Sequence, residues 1–340
     1  MRIGVLTGGG DCPGLNAVIR GVVARAERLG HQSVGILHGW DGLLENKTRE
    51  LGRDDVRGIL QRGGTILGTS RRDPYAHANG WESVRSTLET NRLNALVVIG
   101  GDGTLRSALK LSVEGDFPIV GVPKTIDNDI AATDRTFGFD TAVQIATDAI
   151  DRLSTTAESH DRIMVVEVMG RTKGWIALYA GLASGADEIL IPEVPYDLDR
   201  ISREIERRHA DGHTYSMIVV AEGIEPPPGS SIELPLDAFG FPRLGGVGYT
   251  IASELERRTG FEARVNVLGY LQRGGTPTAT DRILATRFGI AAADAIHDGH
   301  YGTMVALRGN DIKLVSLDEA TAEVRGVPRA LYDDAGTFFG

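Results

Sequence analysis

The chain has 340 residues, of which 41% are hydrophobic and 24% charged, and its formal net charge is −10. That length allows about two domains, and that composition carries enough apolar surface to collapse, which excludes a largely disordered chain. The acidic balance excludes a sequence-independent nucleic-acid binder, which needs a basic face to displace counterions. A single cysteine, Cys12, leaves no intrachain disulfide and no cysteine-built metal cage, as in a cytoplasmic protein. The opening MRIGVLTGGGDCPG has no long apolar region, and no apolar run approaches the ~20 residues of a membrane span, so neither a signal peptide nor a membrane partner is expected.

Along the chain, apolar runs end in glycine-rich or charged loops and give way to helical spacing. Residues 2–7 (RIGVLT) enter the turn Gly8-Gly9-Gly10, and residues 15–30 follow with a helical pattern. Residues 94–99 (NALVVI) run into GGDGT, with a helix expected over 105–111. Residues 117–122 (FPIVGV) run into PKTIDND, and a helix is expected over 140–153 after a domain change near Phe139. Residues 162–168 run into Met169-Gly170-Arg171 and the helical GWIALYAGLASGA, and residues 217–221 end at Glu222 and Gly223. Residues 225–240 read as a loop or insertion, and residues 264–268 run into GYLQRGG and a last long helix. Strands alternating with helices predict an α/β fold, a parallel sheet covered by helices on both faces. Ligands in such sheets sit beyond the carboxyl ends of the strands, where these polar motifs lie.

Three loops carry the chemistry. The turn Gly8 to Asp11 suits either a tight structural turn or backbone N–H groups approaching an anion, and it is no Walker A loop because no GKS or GKT follows. In Gly100-Gly101-Asp102-Gly103-Thr104, Asp102 suits a Mg²⁺ ion on a polyphosphate, and Thr104 suits a helix cap or a phosphate donor. In Pro123-Lys124-Thr125-Ile126-Asp127-Asn128-Asp129, two carboxylates stand beside a lysine, the residue types of phosphoryl transfer. Asp127 is the expected base and Asp129 its orienting partner. Arginines 71, 72, 162, 171, 264 and 273 are candidates for phosphate recognition.

Taken in order, GGGDCPGLNAVIRG, GGTILGTSR, GGDGT, PKTIDND, ESHDRIMVVEVMGR, VVAEG and VLGYLQRGGTP resemble the phosphofructokinase family from residue 1 to about 300. PKTIDND and LQRGGTP are specific to that family, whereas GGDGT also occurs in lipid kinases and NAD kinases. The resemblance implies two Rossmann-like parallel-sheet domains with the active site in the cleft between them. Residues 1–138 with about 272–315 would bind the phosphoryl donor, and about 139–271 with 316–340 the sugar phosphate. It implies a homo-oligomer, dimer or tetramer, and an Mg²⁺-dependent transfer from ATP to fructose 6-phosphate. By the same resemblance Gly10, Arg71, Arg72, Gly101, Asp102, Gly103 and Thr104 line the donor site, with Asp102 on the metal. Lys124, Thr125, Asp127, Asp129 and Arg171 surround the reaction. Met169, Gly170, Arg171, Glu222, Tyr270 and Arg273 hold the sugar phosphate, and Arg162 and Arg264 reach across from a neighbouring subunit.

Departures from the family pattern matter. Gly103 is typical of ATP-dependent members, because the Asp of pyrophosphate-dependent members would repel the α-phosphate of a nucleotide. Lys124 is typical of pyrophosphate-dependent members. The combination points to ATP, with pyrophosphate as the rival donor. Tyr270 stands where the family usually has His, and Thr172-Lys173 where it has His-Ala or similar, so another acceptor such as sedoheptulose 7-phosphate is the rival substrate. Of the bacterial effector positions Arg20 and Arg53 match, but Ala24, Asp211 and His213 replace cationic positions, which predicts little nucleotide activation. A non-catalytic sugar-phosphate sensor is opposed by the intact Asp102, Asp127 and Asp129. A dinucleotide oxidoreductase is opposed by the absence of G-x-G-x-x-G from the first turn.

Overall fold

The computed structural model describes residues 1–230, 236 and 244–339. Twelve strands are present among them: β1 Arg2–Thr7, β2 Gln32–Ile36, β3 Thr48–Leu51, β4 Ala95–Gly100, β5 Ile119–Thr125, β6 Phe137–Gly138, β7 Ile163–Val168, β8 Glu188–Leu190, β9 Ser216–Ala221, β10 Ala263–Val267, β11 Thr303–Arg308 and β12 Asp311–Ser316. The six strands expected from apolar runs are β1, β4, β5, β7, β9 and β10. Four of the others escape a periodicity reading for physical reasons. β3 (TREL) and β12 (DIKLVS) are polar strands that pair antiparallel at sheet edges, and β6 and β8 have two and three residues.

The chain forms two compact units, Met1–Thr141 with Arg273–Arg325, and Ala142–Gln272 with Gly326–Gly340. The first is built on a sheet in the order β12-β11-β5-β4-β1-β2-β3, with β6 added beside β5. Its central strands are parallel and fully buried, which is why they read as unbroken apolar runs. Alternate side chains serve opposite faces. Leu96 and Val98 of β4 join Leu6, Leu105, Leu111 and Met304 in one core, covered in part by the helix Asp102–Glu114. The helices Leu15–Arg28 and Ala279–His297 pack against each other and against β1 and β5. The second unit has four parallel strands in the order β10-β7-β9-β8, flanked by helices that include Trp175–Ala183, Leu198–Ala210 and Val247–Thr259.

Two boundaries differ from expectation. Residues 316–325, expected with the second part of the chain, belong to the first unit. β12 pairs with β11, the following helix Leu317–Thr321 buries Leu317 and Ala320 in the first unit's core, and Arg325 N–H donates to the Asp129 carbonyl at 2.8 Å. The change near Phe139 falls within the helix Phe139–Ser159, which runs through it. Of the expected insertion, 225–230 is irregular, and 231–235 and 237–240 lie outside the described residues. No helix among the described residues is long and apolar enough to cross a membrane.

Candidate active site

In the first unit β1, β4 and β5 run side by side and parallel, with Thr7 opposite Ile99 and Gly100 opposite Pro123, so their carboxyl ends share one edge. After β1 the turn is pinned by Gly8 N–H to the Ile99 carbonyl at 2.9 Å and Gly9 N–H to the Ser70 carbonyl at 2.8 Å. The next three N–H groups, of Gly10, Asp11 and Cys12, have no hydrogen-bond partner among the described residues. After β4 the helix Asp102–Glu114 starts at Gly101, which supplies no side-chain cap. Its first-turn N–H groups therefore point outward at the positive end of the helix dipole. Two rows of donors thus stand on neighbouring strand ends, a chemistry suited to an anion.

The tip of β5 carries the carboxylates of the PKTIDND loop. Thr125 Oγ1 accepts the Asp127 N–H at 3.0 Å. Asn128 takes a left-handed φ of 51°, and its Oδ1 accepts the Thr136 N–H at 3.0 Å, closing the loop on itself. Asp127 is 4% exposed, and its buried Oδ1 has no partner among the described residues. A buried carboxylate oxygen without a donor costs stability, and it is open to accept a hydrogen bond or a proton. Lys124, also buried, donates from Nζ to the Gly10 carbonyl. Burial pushes its ammonium below the usual lysine range, and the nearby Arg273 charge acts in the same direction.

In the second unit β7 and β9 are parallel neighbours, with Val168 opposite Ala221. Glu222, just past β9, accepts the N–H groups of Gly170 and Arg171 on one oxygen at 3.2 and 2.9 Å. This fixes the Met169-Gly170-Arg171 loop and holds Arg171 in a left-handed turn at φ 53°. Arg162 Nε stands 2.5 Å from Glu262, which also pairs with Arg264. Tyr270 is 76% exposed.

A sequence profile described as Phosphofructokinase matches residues 2–296. The chain belongs to the phosphofructokinase family. It is 58% identical over 343 residues to the pyrophosphate–fructose 6-phosphate 1-phosphotransferase of Amycolatopsis methanolica, covering 100% of both chains. It is 55% identical over 344 residues to the ATP-dependent 6-phosphofructokinase of Mycobacterium tuberculosis, again covering 100% of both. Among solved structures, phosphofructokinase from Pichia pastoris in the T-state superposes with a TM-score of 0.82 at 30% identity, over 99% of this chain and 36% of that one.

Within this phosphofructokinase several expected site residues are held by partners in the chain itself. Thr104 is not the helix cap, since that position is Gly101. Its side chain is buried against Gly8 and Gly100, where an added Cβ would come within 2.7 and 2.4 Å of it. Arg72 is paired with Asp41 at 3.1 Å and Glu45 at 3.4 Å. Arg273, expected on the sugar phosphate, is 92% buried against the first glycine turn, donating from Nη1 to the Asp11 carbonyl at 3.2 Å. Among the effector positions, Arg53 is tied to Glu27 at 3.0 Å and Asp211 to Arg207 at 3.2 Å. The N–H group of Cys12 was not legible as a donor in the sequence, because its freedom depends on where the Asp11 carbonyl bonds.

The residues fit a magnesium ion carried by its substrate. Asp102 is the first residue of its helix, its carboxylate partly exposed and held by Arg106 Nε at 2.9 Å. No three His, Cys, Asp or Glu side chains gather into a metal cage among the described residues. One carboxylate beside phosphate oxygens and water is the usual environment of Mg²⁺ on a nucleotide, whereas a dedicated protein cage is not.

Proposed function

We propose that this phosphofructokinase is an Mg²⁺-dependent, ATP-using enzyme that phosphorylates fructose 6-phosphate to fructose 1,6-bisphosphate in the cytoplasm, as a homo-oligomer. The observation that carries this reading is the unpartnered buried Oδ1 of Asp127 at the end of β5, on the same sheet edge as two rows of free backbone donors. The backbone amides of Gly10 to Cys12 and of the helix start bind and orient the polyphosphate. Asp127 takes the proton of the sugar 1-hydroxyl as its oxygen attacks the γ-phosphorus in line, and ADP leaves. Asp102 would hold Mg²⁺, which neutralises charge on the phosphates when bound. Arg171, in the turn fixed by Glu222, is assigned to the sugar phosphate with Met169 and Gly170, and Arg162 and Arg264 to the same substrate across a subunit contact.

The relatives named above use either donor, so the donor assignment rests on Gly103. An added Cβ there meets nothing within 4 Å, so the fold leaves room for the acidic side chain of pyrophosphate-dependent members and yet carries none. A coupled assay with fructose 6-phosphate and Mg²⁺, run in parallel with ATP and pyrophosphate, tests this. Turnover is expected with ATP. Turnover with pyrophosphate alone moves the donor assignment, and a higher kcat/KM for sedoheptulose 7-phosphate moves the acceptor. Absence of turnover with either donor leaves a sugar-phosphate sensor.

A further inference from the structure

Lys124 carries the family's ambiguity over the donor, and its contacts give it a different role. Its side chain is buried, 3% exposed, and its ammonium bonds to the Gly10 carbonyl. One residue along, the Asp11 carbonyl takes Nη1 of Arg273 at 3.2 Å. Two consecutive carbonyls are thus captured by two buried cations. In a trans peptide the N–H points opposite to its C=O. Capture of the Gly10 and Asp11 carbonyls therefore turns the N–H groups of Asp11 and Cys12 away from the cations, and those groups are without partners among the described residues. The packing admits little else: a Cβ on Gly10 would lie 2.6 Å from Arg273 Nη1, and one on Gly9 3.3 Å from Lys124 Nζ.

We propose that Lys124 is a positioning residue that acts through the backbone, holding the Gly10 carbonyl so that the turn presents its N–H groups to the donor's phosphates. The proposal rests on the reading of this turn as the phosphoryl-donor site. This carbonyl takes one of the ammonium's three donors, and a hold on the turn serves any polyphosphate equally, so in this role Lys124 does not choose between ATP and pyrophosphate. Burial disfavours the charged form of Lys124, and the carboxylates of Asp127 and Asp11 nearby favour it.

Two substitutions separate hydrogen bonding from charge. Lys124→Met keeps the length and loses the donor, and Lys124→Gln keeps an N–H donor without the charge. Lys124→Met is expected to raise the donor KM about tenfold or more, by the same factor for every donor the wild type turns over, with a smaller change in kcat. It is also expected to speed hydrogen exchange at the Gly8 and Gly9 amides, read on a peptide spanning residues 3–15. Lys124→Gln should recover a large part of both. Unchanged exchange with Lys124→Gln as impaired as Lys124→Met overturns the proposal, as does a KM effect confined to pyrophosphate, because either places the ammonium on the phosphate itself. The exchange measurement needs no turnover. If the wild type uses neither donor, faster exchange in Lys124→Met with recovery in Lys124→Gln still supports the hold on the turn, and its absence removes it.

Discussion

Asp127 shows what a residue's identity conveys and what its surroundings add. The pair of carboxylates in PKTIDND marks the residue types for proton transfer, but the burial of one oxygen without a donor depends on the turn that Thr125 and Asn128 close around it. Replacing Asp127 by Ser is expected to lower kcat by about 10²- to 10⁴-fold, the usual contribution of a positioned base. The KM for the sugar phosphate should change little, and the fold should persist, with some loss of thermal stability because the buried Lys124 loses a neighbouring carboxylate. Steady-state kinetics with a parallel melt checks this, and a variant of near-full rate would take Asp127 out of the mechanism. Lys124 makes the opposite case. Its type suggests a cation facing the anion, and its surroundings add a bond to the Gly10 carbonyl.

Among elements, the long apolar strands were legible because both of their faces are covered, and the short or polar edge strands were not. The same contrast governs the loops. The sequence marks Glu167 only as a charged residue within the apolar run of β7. The structure buries it, 1% exposed, and its carboxylate accepts the N–H of Gly246 at 2.8 Å and of Gly248 at 2.8 Å, anchoring the start of the helix Val247–Thr259. Substitution of Glu167 by Ala leaves those two amides unpaired and should cost about 2–4 kcal/mol. The measurement is a urea transition with exchange mass spectrometry on the helix; a loss below 1 kcal/mol, or a helix no more labile, would contradict the anchoring role.

For the whole molecule, the chain leaves the first unit within a helix, and Asp281 secures that point. Fully buried, it accepts the N–H and Oγ1–H of Thr141 at 2.8 and 2.6 Å. Burial raises its pKa from 3.8 to about 6, against the opposing bonds from Thr141 and Gly138. The native state then holds a proton that the unfolded chain has already lost, so this group's contribution to stability falls as pH rises from about 4 to 6. Above that window the cost is on the order of 3 kcal/mol. Asp281→Asn should abolish this slope, so the difference in unfolding free energy between variant and wild type grows in the variant's favour from pH 4 to 7. A difference flat across that range would refute the assignment.

The sequence by itself determined the alternation of strands and helices, the family, and which loops carry carboxylates, glycines and arginines, because these follow from local spacing and residue type. Only the tertiary structure decided which backbone donors stay free, that Thr104 packs where a cap was expected, that Arg273 sits on the first glycine turn, and that residues 316–325 complete the first unit. Each of these depends on a partner far away in the chain, and hydrogen bonds and packing between distant segments leave no local periodicity to read.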